Sequence, residues 1–493
     1  MSMKLSSLLA AAGLSLPDGI TNDPDIVSVT ADSRAVTPGT LFVAVPGVKQ
    51  DGRDFIPAAV QAGAAAVLAP EGTKPFDGVP MVTVGEPRRA LALMAAVLAG
   101  PQPERIVAVT GTNGKTSTVD FLRQIWTGMG RQAASFGTLG LIAPEDVLSA
   151  LPFEIPALTT PDPVTLARGL AALRGAGVTD VALEASSHGL DQRRLDGVRI
   201  TAAGFTNLTR DHLDYHGDID AYRTAKMRLF EMLLPDDGFA AANADMDRDT
   251  LEVLREITQR RGLELRLTGE KGDAVRLVAQ KFLPEGQRLM LEAWGKPFDV
   301  TIALPGRFQA DNVMLAAALA AADRDDMAAV IARLPHLQGV RGRMERAALL
   351  PSGAAVYVDY AHTPDALARV LDSLRPHAKG RLIVVFGAGG DRDRGKRPLM
   401  AHEAALRADA VIVTDDNPRS EDPAAIRKDV LLGAPEATEI GDRREAIAAG
   451  IGMLDAGDVL LVAGKGHEQG QTIAGVVHPF DDVSVVQSLV ASA

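Results

Sequence analysis

Ile106-Val107-Ala108-Val109-Thr110-Gly111-Thr112-Asn113-Gly114-Lys115-Thr116-Ser117 opens the middle third of the chain and marks it as α/β. The run of β-branched and small apolar residues suits a strand buried on both faces of a parallel sheet. A glycine-bearing turn follows, then a helical pattern from Ser117 to Met129, so strand, loop and helix make the opening of a βαβ unit. In such a turn the glycines let backbone N–H groups approach phosphate oxygens, and the helix N-terminus favours an anion. Lys115 then reaches the β- and γ-phosphates, and the Thr116 hydroxyl can ligate Mg²⁺. The general eight-position pattern has Gly where this chain has Val109, so the match is to a shortened form. The flanking strand and helix separate it from an ordinary glycine turn. ATP is therefore expected at Gly111, Thr112, Asn113, Gly114, Lys115, Thr116 and Ser117.

The same alternation recurs at residues 178–183 and 202–206, which makes the middle third α/β with a parallel-rich sheet. Upstream, short strands are expected at 27–30, 40–45 and 65–68, then a helix over 88–98, ending at Gly100-Pro101-Gln102-Pro103. Downstream, Pro335 and Gly339 interrupt a helical stretch. Three apolar runs follow, at 382–386, 410–413 and 459–463, each leading into a polar loop that bears Gly or Pro. Open α/β sheets place ligands outside the carboxyl ends of their strands, so this last third is expected to carry a binding face. Three domains result, with boundaries at 1–100, 101–338 and 339–493.

The length, 493 residues, is more than one core usually serves, and 46% hydrophobic with 23% charged residues is the balance of a soluble globular protein. The absence of cysteine excludes disulfides, thiolate zinc sites and a cysteine nucleophile. A net charge of −12 disfavours a nucleic-acid binder, and anionic substrates then require local clusters of Arg and Lys. The first residues lack the charged and long apolar regions of a secretory signal, and no apolar stretch approaches about 20 residues, so a cytoplasmic protein without membrane insertion is expected.

Glu184 ends the run Val181-Ala182-Leu183-Glu184, beside the phosphate loop if the sheet is parallel. A strand-end Glu alone is more often a cap or ion-pair partner than a ligand; next to phosphates it becomes the Mg²⁺ candidate. Asn207-Leu208-Thr209-Arg210-Asp211-His212-Leu213-Asp214-Tyr215-His216-Gly217 is dense in ligand-type side chains, among which His212 stands out. Lys226 lies in a helix expected over 222–233, where a lone Lys is ordinarily a surface charge.

The chain resembles the Mur ligase family. The resemblance rests on Thr110 to Thr116, Glu184-Ala185-Ser186-Ser187-His188-Gly189, Asp211 to Gly217, Lys226, Gly342-Arg343-Met344-Glu345, Asp359-Tyr360-Ala361-His362-Thr363-Pro364 and Asp416-Asn417-Pro418-Arg419, in that order, with Asp32-Ser33-Arg34 near the start. It covers nearly the whole chain, and the pattern is similar to the members that add diaminopimelate. It implies an N-terminal α/β domain for the UDP end of the substrate, a central P-loop parallel-sheet ATPase domain and a C-terminal Rossmann-like domain for the incoming amino acid. By position, Ser33 is implied to touch the uridine nucleotide, and Thr159, Thr160, Ser186, Gln192 and Arg194 the muramoyl dipeptide. Glu184, His212 and a carbamylated Lys226 are implied as metal ligands beside Thr116; Asn312, Arg343 and Asp359, with His362, as residues around the nucleotide and hinge.

Arg392, Asp416, Asn417, Pro418, Arg419, Gly464 and Glu468 are implied as the diaminopimelate pocket, and they sit on the three strand-end loops singled out above. An Arg grips a carboxylate with two hydrogen bonds and a Glu receives an ammonium, so the pair suits a second amino-acid centre. Lysine lacks the distal carboxylate, which makes Arg419 the residue that argues against a lysine-adding enzyme. Three departures from the family pattern stand at Ser117, Gln309 and Ala388. The implied activity is an ATP-dependent acid–amino-acid ligase of peptidoglycan synthesis, acting as a monomer on UDP-N-acetylmuramoyl-L-alanyl-D-glutamate and meso-diaminopimelate through an acyl phosphate. A lysine-adding relative, a folylpolyglutamate synthetase-like ligase and a nucleotide-dependent switch remain as alternatives.

Overall fold

The computed structural model of the chain describes residues 2–15, 22–47, 50–151, 153 and 158–491. They form two compact units, one of Met1–Thr268 with Ala318–Ala322 and one of Gly269–Ala317 with Asp323–Ala493. The side chain of Asp214 lies outside the described residues. Among the described residues no helix is long and apolar enough to cross a membrane.

The first unit holds two parallel sheets. A smaller one runs Ser28–Thr30, Thr40–Val43, Ala66–Pro70, Met81–Val84, all parallel, with Leu41, Phe42 and Val43 buried at its centre. Helix Pro87–Ala99 starts on its proline, which needs no N–H partner there, and packs against helix Pro163–Gly175.

In the larger sheet the phosphate strand Arg105–Thr110 lies between Asp180–Glu184 and Ala202–Phe205, parallel to both. Ala133–Gly137 extends it on one side and Phe239–Asn243 with Glu264–Gly269 on the other, again in parallel. Gly140–Ile142 adds one antiparallel edge. The chain leaves the central strand toward one side and later returns on the other, so the strand order reverses there, which is where open sheets form ligand crevices. Register fixes what faces that crevice: Glu184 pairs with Val109 and Phe205 with Thr110, so three strand ends stop level with the glycine turn. Ile106, Ala108, Val181, Leu183, Ala203 and Phe205 are buried together beneath it.

The second unit contains an antiparallel meander, Val275–Leu283, Gly286–Ala293 and Lys296–Ile302, where a parallel-rich arrangement was the only one expected from the sequence. Its other sheet runs Glu345–Leu349, Ala355–Asp359, Val459–Ala463, Leu382–Phe386, Ala410–Val413, Thr438–Glu439, parallel except for the first pair. The three apolar runs of the last third are strands with the expected bounds. Alternate residues face opposite layers: Leu382, Val384 and Phe386 pack with Leu367, Leu371 and Met400, while Ile383 and Val385 pack with Ile447, Val483 and Val486. Helices on both faces of a parallel sheet make this a doubly wound, Rossmann-like fold.

Candidate active site

Gly111 has φ +141°, and a Cβ there would come within 1.9 Å of the Thr206 hydroxyl, so the turn tolerates only glycine at this point. That close approach lets the turn rest on the neighbouring strand end. Thr206 donates to Asn113 O at 2.6 Å, the Asn207 amide donates to the same oxygen at 3.1 Å, and Asn207 Oδ1 accepts from Asn113 N at 3.1 Å. Thr112 N donates to Asn207 O at 2.8 Å, and Thr112 Oγ1 accepts from Thr209 N at 3.0 Å. Gly114, left-handed at φ +86°, then starts helix Lys115–Gly128. Thr116 and the buried Ser117 follow in its first turn.

Two lysines converge on one carbonyl. Lys115 Nζ donates to Gly111 O and to Thr112 O, both at 2.9 Å, and Lys226 Nζ donates to Gly111 O at 2.7 Å. Lys226, from helix Ile219–Arg228, is 1% exposed and lies 4.4 Å over the Tyr222 ring. Burial, reinforced by the Lys115 charge and only partly opposed by Asp211, holds its pKa well below the ordinary lysine value. A lysine on a helix that reads as a surface charge is thus a buried, readily neutral amine.

Glu184 is 2% exposed; its Oε1 accepts from Thr138 N at 2.8 Å, and the Thr116 and Thr138 hydroxyls also bond to it. Burial raises its pKa, against the pull of Lys115. A Cβ on Gly137 would sit 2.1 Å from the Glu184 carboxylate, so glycine there makes room for the acid. Among the described residues no group of three or more acidic or histidine side chains gathers in metal-binding fashion. A Mg²⁺ shared with phosphates takes only one or two protein oxygens, and Thr116 with Glu184 is the donor set that fits one.

Thr160 donates to Glu184 O at 2.8 Å and accepts from both Ser186 N and Ser186 Oγ at 3.0 Å. Arg194 donates to Thr160 O and to Gln192 Oε1, each at 2.7 Å, and Thr159 Oγ1 lies 3.0 Å from Thr138 Oγ1. Five residues expected to hold one substrate are therefore one network attached to the Glu184 strand end. His212 caps Leu213–His216 at φ +52°, and its ring meets His188 at 4.9 Å. Ser33 lies apart in the short 3-10 turn Ser33–Ala35 that follows the small sheet's first strand.

In the second unit a cavity of about 320 Å³ is lined by Arg392, Asp416, Asn417, Arg419, Gly464 and Glu468, all expected, and by Tyr360, His362 and Lys396. Arg419, at φ +54°, donates to Gly390 O at 2.8 Å; Asn417 donates to Glu468 Oε2 at 2.8 Å. Pro418 is buried between them in sequence, and a Cβ on Gly390 would meet its carbonyl at 1.9 Å. Lys396 donates to His362 O at 2.8 Å, and burial lowers its pKa. Near the same strand ends Asp359 accepts from Met344 N at 2.7 Å and Ala361 N at 2.8 Å, and burial raises its pKa. Arg343 stands 5.4 Å over the Tyr360 ring, and Asn312 donates to Gln309 at 3.4 Å within helix Arg307–Ala320.

Sequence reading missed Thr138, Thr206, Asn207, Tyr222, Lys396 and Lys465. Only Asn207 carried a usable signal, as the first polar residue after a strand expected to end at 206. The others become visible only through contacts with residues distant in the chain.

Three family models cover most of the chain: the Mur ligase family catalytic domain at 25–97, the Mur ligase middle domain at 109–320, and the Mur ligase glutamate ligase domain at 342–466. A UDP-N-acetylmuramoyl-L-alanyl-D-glutamate–2,6-diaminopimelate ligase of Caulobacter vibrioides is 55% identical over 462 residues, 94% of this chain and 95% of that one. One of the same name from Bradyrhizobium diazoefficiens is 50% identical over 475 residues, 95% of each chain. A solved structure of such a ligase superimposes with a TM-score of 0.79 at 33% identity, covering 100% of this chain and 99% of the other.

Proposed function

The chain belongs to the Mur ligase family, and from that premise we propose that it joins meso-diaminopimelate to the D-glutamate γ-carboxylate of UDP-N-acetylmuramoyl-L-alanyl-D-glutamate at the expense of ATP, a step of peptidoglycan synthesis. The observation that carries the choice of amino acid is one cavity lined by Arg392 and Arg419 and also by Asp416 and Glu468. Guanidinium groups match a carboxylate and the acids match an ammonium, so the site complements a second amino-acid centre rather than a bare aminoalkyl tail.

In the proposed reaction a γ-carboxylate oxygen attacks the terminal phosphorus of ATP, ADP departs, and an acyl phosphate forms. The neutral amine then attacks the acyl carbon, phosphate leaves with one former carboxylate oxygen, and the ammonium proton passes to solvent or base. The turn Gly111–Gly114 cradles the phosphates, and Lys115 swings from its carbonyl partners to the transferring group, where positive charge is needed most. Mg²⁺ would be held by Thr116 and Glu184, with His212 and carbamylated Lys226 as the further ligands that the family resemblance implies, and would supply charge neutralisation on the phosphate oxygens. The buried Lys226 amine is poised for carbamylation because its neutral form reacts with carbon dioxide, and the product anion sits beside Lys115 instead of repelling it. Thr159, Thr160, Ser186, Gln192 and Arg194 position the muramoyl dipeptide, and Ser33 the uridine end. Asn312, Arg343 and Asp359 are assigned as ATP contacts, as the family resemblance implies. The three domains are assigned to 1–100, 101–338 and 339–493, acting as a cytoplasmic monomer.

Supplying ATP, Mg²⁺ and the UDP-dipeptide with meso-diaminopimelate, lysine or a folate in turn tests the assignment. Tripeptide product, detected by mass, is expected with meso-diaminopimelate; turnover with lysine alone would refute it.

A further inference from the structure

Beneath the cavity lie two cations to which the reaction above gives no task. Lys465 and Arg443 have side chains with no exposed surface. Charges at that depth persist where they are paired and where they fix a geometry that apolar side chains would not.

Lys465 Nζ donates to Asn417 Oδ1 at 3.0 Å and to Gly470 O at 2.7 Å. It also stands 3.5 Å from Asp416 Oδ1 and 3.6 Å from Glu468 Oε2, the two acids of the cavity. Asn417 Oδ1 accepts a second hydrogen bond, from Thr472 N at 2.9 Å. An amide oxygen held by two donors cannot exchange places with its nitrogen, so Asn417 Nδ2 is obliged to face Glu468 Oε2, 2.8 Å away. The ammonium is thus the hub from which the orientation of Asn417, and through it Glu468, is set. Burial draws the Lys465 pKa down, while Asp416 and Glu468 oppose that and favour the charged form.

Arg443, the first residue of helix Arg443–Gly452, forms a two-point pair with Asp482 at 2.8 and 2.7 Å. Its other N–H groups reach Ala463 O at 3.0 Å and Asp415 O at 3.3 Å. Those carbonyls immediately precede Gly464 and Asp416, one at the end of strand Val459–Ala463 and one in the loop after strand Ala410–Val413, and Leu382–Phe386 lies between the two strands. One guanidinium therefore ties together the strand ends that present the cavity's acceptors.

We propose that Lys465 is a positioning residue for the incoming amino acid, aiming Asn417 and Glu468 into the cavity, while Arg443 holds the strand ends on which they stand. The proposal rests on the reading of this cavity as the diaminopimelate site. It assigns Lys465 no contact with substrate.

Lys465→Met and Lys465→Gln in the full chain, assayed with ATP and UDP-dipeptide in excess, test it. For Lys465→Met the KM for meso-diaminopimelate rises roughly 10- to 100-fold, the loss of one charge-assisted hydrogen bond. The kcat and the KM values for ATP and UDP-dipeptide stay within about twofold, a split that a general loss of structure would not give. Lys465→Gln falls between, because its amide retains a donor for Asn417. An unchanged KM for meso-diaminopimelate overturns the proposal, as does a parallel loss in all parameters. Failure of both variants to fold also overturns it, by assigning Lys465 to stability alone. The unmodified chain is assayed first: if it makes no tripeptide, the substrate reading fails rather than the role of Lys465.

Discussion

Glu184→Gln separates catalysis from stability more sharply than any other single change. The variant keeps the shape of the side chain, and its amide can still accept from Thr138 N and donate to the Thr138 hydroxyl, the two contacts made at 2.8 and 3.4 Å. What it removes is a carboxylate charge that is almost wholly buried. With its folded pKa raised above the unfolded value of 4.5, the native state binds the proton more tightly. Between 4.5 and that raised value, stability in the absence of ligand therefore falls as pH increases, and a neutral amide lacks this slope. Because burial makes the charged form of Glu184 the costlier one in the ligand-free fold, a neutral amide is expected to leave the variant at least as stable as the parent at pH 7. Turnover is expected to fall by at least about 10²-fold, as when one preorganised charge-stabilising group is deleted. Urea melts at pH 5 and pH 7, with ADP release measured on the same preparations, provide the two readouts. Activity within about threefold of the parent would remove Glu184 from the metal site. A loss of more than about 2 kcal/mol at pH 7 would show that the carboxylate is stabilising and the burial argument mistaken.

Lys115→Met is expected to abolish ADP release while leaving the melting temperature within a few degrees, because its hydrogen bonds to the carbonyls of Gly111 and Thr112 lie within the turn and cross-link no distant elements; a collapse of the fold would contradict this. Lys226 should make activity depend on dissolved carbon dioxide: degassing at pH 7 lowers the rate, bicarbonate restores it, and Lys226→Met is inactive in both, whereas indifference to bicarbonate refutes carbamylation. Its stability contribution has the opposite sign to that of Glu184, since the unfolded state binds the proton between the depressed native pKa and 10.5, so stability rises with pH through that window. Arg419→Gln is expected to raise the KM for meso-diaminopimelate roughly 10- to 100-fold with little effect on ATP, and an unchanged preference over lysine would exclude Arg419 from selectivity.

The central strand and helix were legible because a buried parallel strand is apolar throughout and a phosphate turn carries its glycines at fixed places; they appear as Arg105–Thr110 and Lys115–Gly128. The apolar runs at 382–386, 410–413 and 459–463 announced themselves for the same reason. The meander Val275–Ile302 did not, since its partly exposed strands mix polar and apolar residues and their pairing is fixed by turns rather than by composition. Among site residues, those in short motifs were readable and those acting through distant partners were not. Thr206 matters because register places it against Gly111, 95 residues earlier in the chain. Lys465 matters because Asn417, 48 residues away, turns its oxygen toward it. The burial of Lys226 depends on where its helix docks, and no local pattern distinguishes a buried helical lysine from a solvated one.

Transfer of phosphate from ATP, bound at the Lys115 turn, to the dipeptide's free acid is the step from which amide formation follows. With ¹⁸O in both oxygens of the D-glutamate γ-carboxylate, meso-diaminopimelate and ATP, each inorganic phosphate released is predicted to carry one ¹⁸O atom and each tripeptide to retain the other. Unlabelled phosphate accompanying tripeptide formation would contradict the acyl-phosphate path and with it the task assigned to the phosphate loop.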